Sequence, residues 1–131
     1  MINRLLKIFA KSLKNIFGYE ALNILLRYLP SERTIYILKA FGAIVGNNVR
    51  IKSSLTIHNA DQNKNIYSNL IIGNNVYIGR DCIIDLMDKV VIEDNVTISH
   101  RVVLNTHTDL GESHILKKKY YPATVGKITV K

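Results

Sequence analysis

The chain has 131 residues, 47% of them apolar, and its 18 Lys and Arg against 10 Asp and Glu give a net charge of +8. That length supports one cored domain plus an appendage; the lone Cys82 excludes an intrachain disulfide, and no Cys or His pair has the short repeated spacing of a structural zinc site. The start holds neither an unbroken signal-peptide core nor a membrane-spanning run, and no nucleic-acid-binding signature is present, so a cytoplasmic protein that leaves nucleic acid alone is expected.

The basic excess is concentrated at the start. Residues 1–40 hold seven Lys and Arg against Glu20 and Glu32. Ile2, Leu5, Leu6, Phe9, Leu13, Ile16 and Phe17 recur at three- and four-residue steps with Lys7, Lys11, Lys14 and Asn15 on the other face, which predicts an amphipathic helix ended by Gly18. A second apolar stretch, Ala21 to Leu29, runs into Pro30, and a third helix follows with Ser31 as N-cap, Glu32 at its positive end and Gly42 as terminator. Residues 1–42 are therefore assigned to an amphipathic helical segment. A basic face opposite Leu, Ile and Phe suits peripheral contact with an anionic membrane, on its cytoplasmic side, or packing against protein; periodicity alone leaves both open.

From Val45 the useful period becomes six. Val45, Ile51 and Ile57 form one tract, Ile72, Ile78 and Ile84 a second, and Ile92, Ile98 and Leu104 a third. A further apolar residue sits two positions before many of these, as Val49 before Ile51 and Cys82 before Ile84, which places each pair on one face of a strand. Between the pairs lie Gly46-Asn47-Asn48, Gly73-Asn74-Asn75, Gly79-Arg80-Asp81 and Glu93-Asp94-Asn95, residue types suited to tight bends. One such strand cannot bury its apolar face, but coils stacked on one another can, so the pattern predicts a solenoid. Cys82 falls on an inward slot, and residues 85–89 insert a corner that shifts the phase by two.

The tracts Ile72-Gly-Asn-Asn-Val-Tyr-Ile-Gly and Val91-Ile-Glu-Asp-Asn-Val-Thr-Ile-Ser resemble the hexapeptide-repeat acyltransferases, nearest to their sugar O-acetyltransferase branch. The resemblance covers about residues 28 to 131. Its most specific part is Val102-Val-Leu-Asn-Thr-His-Thr-Asp, similar to the family's segment in which a strand ends in a histidine and a longer loop leaves the coil. Tyr28-Leu-Pro-Ser-Glu-Arg and Phe41-Gly-Ala-Ile-Val-Gly resemble the lead-in of polysaccharide-modifying members. The resemblance implies a mainly β, left-handed parallel β-helix over residues 43–131, with an excursion loop at about 108–127, in a homotrimer whose sites lie between neighbouring subunits. It also implies acetyl-CoA as co-substrate without a metal, and a sugar or polysaccharide-precursor acceptor in capsule or surface-polysaccharide synthesis. Such proteins continue beyond the tract Gly126-Lys-Ile-Thr-Val-Lys131 with coils that contact coenzyme A. A truncated product is therefore expected, and no coenzyme-binding residue is assigned.

An alcohol is a poor nucleophile at neutral pH, so acyl transfer to a hydroxyl needs a group that takes its proton. In this resemblance His107, three positions after Leu104, is the general base. Asn105 or Asp109 would orient the imidazole or the acceptor hydroxyl, and Asp81 or Asp85, one coil earlier, would face the acceptor. Related maltose and galactoside enzymes carry an asparagine one coil before the histidine where this chain reads Gly79-Arg-Asp81, which leaves acceptor contacts open. His100 reads as a turn residue, while His58 and His114 lie in irregular tracts. Two other readings stand beside this one: a metal enzyme similar to the γ-class carbonic anhydrases, for which no third histidine falls in phase, and a silent truncated subunit that binds membrane or partner chains through its helical start.

Overall fold

The computed structural model describes residues 2–58, 66–108, 119 and 123–131. Two helices open the chain. The first, α1 (Ile2–Leu26), bends at Gly18, whose φ of 74° and ψ of −171° are not helical, so the expected break is a kink within one element. The second, α2 (Ser31–Ala40), is followed by Phe41 and Gly42. Gly42 takes φ 114°; its N–H bonds to the Lys39 carbonyl and the Ala43 N–H to the Leu38 carbonyl, the paired bonds of a glycine-terminated helix. Ser31 does not act as the expected N-cap. Pro30 holds that position, and the Ser31 hydroxyl instead accepts the backbone N–H of Ile51 at 2.8 Å, tying the helix to the first strands.

Among the described residues short strands follow: β1 (Ile44–Val45), β2 (Arg50–Ile51), β3 (Leu55–His58), β4 (Leu70–Ile72), β5 (Tyr77–Ile78), β6 (Cys82–Asp85), β7 (Val90–Ile92), β8 (Thr97–Ile98), β9 (Val103–Leu104), β10 (His107–Thr108), β11 (Thr124–Val125) and β12 (Ile128–Val130). Three parallel sheets are ordered β1-β4-β7-β12, β2-β5-β8 and β3-β6-β9, and β10 pairs antiparallel with β11. The register explains the six-residue spacing. Val45 pairs with Ile72 and Ile72 with Ile92; Ile51 with Ile78 and Ile78 with Ile98; Ile57 with Ile84 and Ile84 with Leu104. Each six-residue step thus carries the chain to the next sheet, and equivalent aliphatics of successive tracts stack.

The expected fold class requires correction. The architecture is mixed α/β, two helices with short parallel strands in small sheets, and not a mainly β, left-handed β-helix. The helices supply Ala10, Leu22, Leu26, Ile37 and Leu38 to the same buried cluster as Val45, Ile51, Ile72, Ile78 and Ile84. The six-residue period reports which aliphatics meet between strands; it carries neither handedness nor the share of the core that helices provide.

Tyr67 shows how helices and strands are joined. It lies fully buried in a 3₁₀ turn (Ile66–Asn69) before β4, edge-on to Tyr19 and Phe41, and its hydroxyl donates to Asn23 Oδ1 at 2.9 Å. Burial pushes the phenol's pKa well above its usual range, with Tyr19 and Glu20 adding to the effect, so it remains the donor.

The corners hold the tiers in register through side chains. Asn47 N–H donates to Asn74 Oδ1 at 2.9 Å and Asn74 N–H to Asp94 Oδ1 at 2.6 Å, while Asn48, Asn75 and Asn95 link amide to amide at 3.0 and 3.1 Å. Asn48, Asn75 and Asn95 take φ of 53°, 55° and 63°, the left-handed conformation that asparagine tolerates. Gly73 is needed for a different reason: a Cβ there would lie 2.3 Å from Asp94 Oδ1 and 2.8 Å from Asp94 N. The predicted turn residues therefore occupy the tightest approaches between tiers.

Candidate functional site

His58, Asp85 and Asn105 each follow the last in-phase aliphatic of a tract, at Ile57, Ile84 and Leu104. The register pairs His58 with Asp85 and Ile84 with Leu104, so the three positions form a column at one edge of the β3-β6-β9 sheet. Beyond Asn105 the chain turns into β10, which brings His107 back against this edge. Strand β11 then pairs with β10, His107 opposite Val125 and Thr108 opposite Thr124, with the two threonine hydroxyls 2.7 Å apart.

His107 Nδ1 lies 2.7 Å from Asp85 Oδ2. Asp85 is 1% exposed, so its carboxylate depends on protein partners. Oδ2 also accepts from the Thr106 backbone N–H at 2.9 Å and from the Thr106 hydroxyl, while Met87 N–H approaches Oδ1 at 3.4 Å. Thr106, itself buried, accepts the Asp88 N–H at 3.1 Å on its hydroxyl. These bonds fix the carboxylate before it meets the imidazole. An ionised carboxylate only accepts, so against it Nδ1 is the donor, and a neutral ring held this way has its lone pair on Nε2.

A cleft of about 480 Å³ opens beside the pair, lined by His58, Ile83, Asp85, Val103, Asn105, His107 and Thr108. The His107 side chain retains 20% exposure, enough to meet a ligand while its other ring edge is held. His58 stacks on His107 with ring centroids 6.3 Å apart and planes at 25°. Ile83 and Val103 present 37% and 58% of their surfaces, giving this wall an apolar character. A buried anion gripping a partly exposed imidazole beside an apolar wall can move a proton at Nε2 and bind a largely uncharged group next to it.

The expected site residues separate under this geometry. Asp85 and His107 come together, with one carboxylate oxygen of Asp85 on the imidazole, and Asp85 also lines the cleft. Asn105 lines the cleft and donates through Nδ2 to the His107 carbonyl at 2.7 Å, so it orients the backbone carrying the histidine and not the ring. Asp81 is not brought to His107. Its Oδ1 accepts the Ser54 hydroxyl at 3.1 Å, and it lines a separate cleft with Lys52, Tyr77, Arg80, His100 and Arg101. Asp109 lies outside the described residues, as do His114 and most of the expected loop at 108–127. Thr106 and His58 were missed by sequence reasoning. For His58 a signal existed in its place after Ile57, which matches that of Asp85 after Ile84; Thr106 offered none.

Cys82 is buried, with Sγ 3.1 Å from the Ser99 carbonyl, as its inward slot predicts. His100 sits at an exposed corner and accepts the Arg80 N–H on Nδ1 at 2.9 Å. Among the described residues no three His, Cys, Asp or Glu side chains converge on a point where they would hold a metal ion, and no helix is long and apolar enough to cross a membrane. Comparison with protein-family models, curated proteins and solved structures finds no match for this chain.

Proposed function

We propose that the chain is an O-acyltransferase that moves an acetyl group from acetyl-CoA to a sugar hydroxyl, with His107 as general base. The observation that carries this reading is the 2.7 Å contact between His107 Nδ1 and the buried Asp85 carboxylate at the wall of an open cleft. The tract Val102-Val-Leu-Asn-Thr-His-Thr-Asp, similar to the histidine-bearing segment of hexapeptide-repeat acyltransferases, adds the reaction class.

In the proposed step Nε2 of His107 takes the acceptor's hydroxyl proton as the oxygen attacks the thioester carbonyl carbon. The C–S bond then breaks, the new ester forms, and the imidazolium returns its proton to the coenzyme A thiolate. Asp85 stabilises the imidazolium and holds the other ring proton on Nδ1, so Nε2 is free to take and return the acceptor's proton and no covalent enzyme intermediate is needed. Holding thioester and alcohol together in one cleft supplies the remaining advantage, because it replaces a bimolecular encounter with a positioned one.

Free thiol release from acetyl-CoA, followed with a panel of mono- and oligosaccharide acceptors, tests the proposal. Acceptor-dependent release by the full chain, falling about 10²–10⁴-fold in His107→Ala, is the expected result. Release that His107→Ala leaves unchanged, or a folded protein with no acceptor-dependent release, would overturn it.

A further inference from the structure

The first half of α1 contributes little to the core. Of residues 2–17 only Ala10 is buried, whereas Ile2, Leu5, Phe9, Ile16 and Phe17 are exposed by between 54% at Phe9 and 70% at Ile16. Across the kink at Gly18 this apolar surface continues as a shallow groove of about 280 Å³ lined by Phe9, Leu13, Ala21, Ile24, Leu25 and Tyr28. A contiguous apolar surface of this kind marks a docking face, unlike single exposed hydrophobic residues.

The other face of the same helix identifies what docks there. Arg4, Lys7, Lys11 and Lys14 follow one another at steps of three, four and three residues and so form a single row, with no acidic residue in the chain before Glu20. A second copy of the chain could cover the apolar face, but it would leave the cationic row on the opposite face without an anionic partner. An anionic bilayer offers what both faces need: hydrocarbon for Phe9, Ile16 and Phe17, and negative headgroups within reach of long basic side chains. Since no described helix can span a bilayer, such contact is peripheral. We propose that residues 2–17 lie in the plane of an anionic membrane surface, apolar face toward the acyl chains, and so hold the rest of the protein at the membrane.

Flotation of the full chain with vesicles of phosphatidylcholine alone, or with about a third phosphatidylglycerol added, tests this without reference to His107. The protein is expected to float with the anionic vesicles only and to be released by high salt, because screening weakens the headgroup attraction. Lys7→Glu with Lys11→Glu should lower vesicle partitioning about tenfold or more. Phe9→Ser with Phe17→Ser should lower it comparably while circular dichroism stays unchanged, since both rings are exposed. Wild-type protein that ignores anionic vesicles, or binding that survives both double substitutions, would overturn the proposal. So would a wild-type dimer that fails to float and dissociates on Phe9→Ser with Phe17→Ser, which would assign the face to a second copy.

Discussion

Two corners of the molecule each carry a histidine, and they hold it in opposite ways. At one, His100 is exposed and its Nδ1 accepts the Arg80 backbone N–H, which puts the ring proton on Nε2. At the other, His107 donates from Nδ1 to a buried carboxylate, which leaves the lone pair on Nε2. Both line clefts, of about 480 Å³ at His107 and about 640 Å³ at His100, so the presence of a cavity does not separate them. The difference lies in the partner: a backbone N–H uses the imidazole as a structural acceptor, whereas a buried carboxylate turns its outer nitrogen into a base and can stabilise the charge it gains.

The largest effect should come from Asp85. Asp85→Asn keeps the volume but offers an amide that can donate to Nδ1, which favours the tautomer already present at His100. Turnover of acetyl-CoA should fall about 10²–10⁴-fold with little change in circular dichroism. Unimpaired turnover by the Asp85→Asn variant would remove the distinction between the two corners. Asp85→Ala goes further, because it takes the acceptor from the buried Thr106 N–H and the half-buried Met87 N–H, while the Thr106 hydroxyl keeps the Asp85 carbonyl. Chemical denaturation should show about 2–6 kcal/mol of lost stability, at about 1–3 kcal/mol for each of these two donors.

Gly79→Ala probes the His100 corner through packing. The added Cβ would lie 2.6 Å from the Ser99 carbonyl carbon and 2.7 Å from His100 N, so the tiers must separate. A loss of about 1–3 kcal/mol in stability is expected, with turnover per folded molecule preserved. His58→Ala removes the ring stacked on His107. Turnover should drop by about 2–10-fold, the range that a ring pair supplies, and His58→Phe should restore most of it. The smallest effect belongs to His100→Ala, where water replaces the acceptor for an exposed N–H: stability should change by no more than about 1 kcal/mol and turnover less than twofold.

The strand region was largely legible in the sequence because its period is strict. Val45, Ile51 and Ile57 and their successors pair across the tiers as their phase predicts, and Gly73 and Asn75 sit at the bends that need them. The helical contribution to the core was not legible, since an amphipathic stripe looks alike whether it meets strands, as Leu22 and Leu26 do, or remains exposed, as Ile16 and Phe17 do. That blindness is what made a mainly β fold the expectation. Ser31 misled for a related reason: a hydroxyl beside a helix start can cap its own helix or satisfy a distant strand, and Ile51 N–H took it.

At the site, His107 was visible through its segment, whereas the partnership with Asp85 was hidden by the corner at residues 85–89. The inserted residues disturb the phase there, so the sequence alone could not show that the Asp85 carboxylate turns inward beneath β10. Thr106 was hidden because its part is to satisfy Asp85, a task set by burial and not by spacing.

The imidazole nitrogens of the two histidines can be read directly in a long-range ¹H–¹⁵N spectrum of the folded protein, assigned with His100→Gln and His107→Gln. The geometry predicts opposite tautomers, a protonated Nδ1 with a bare Nε2 lone pair at His107 and the reverse at His100. A His107 ring with its proton on Nε2 and its lone pair on Nδ1 would contradict the role given to Asp85 and, with it, the assignment of His107 as a positioned base.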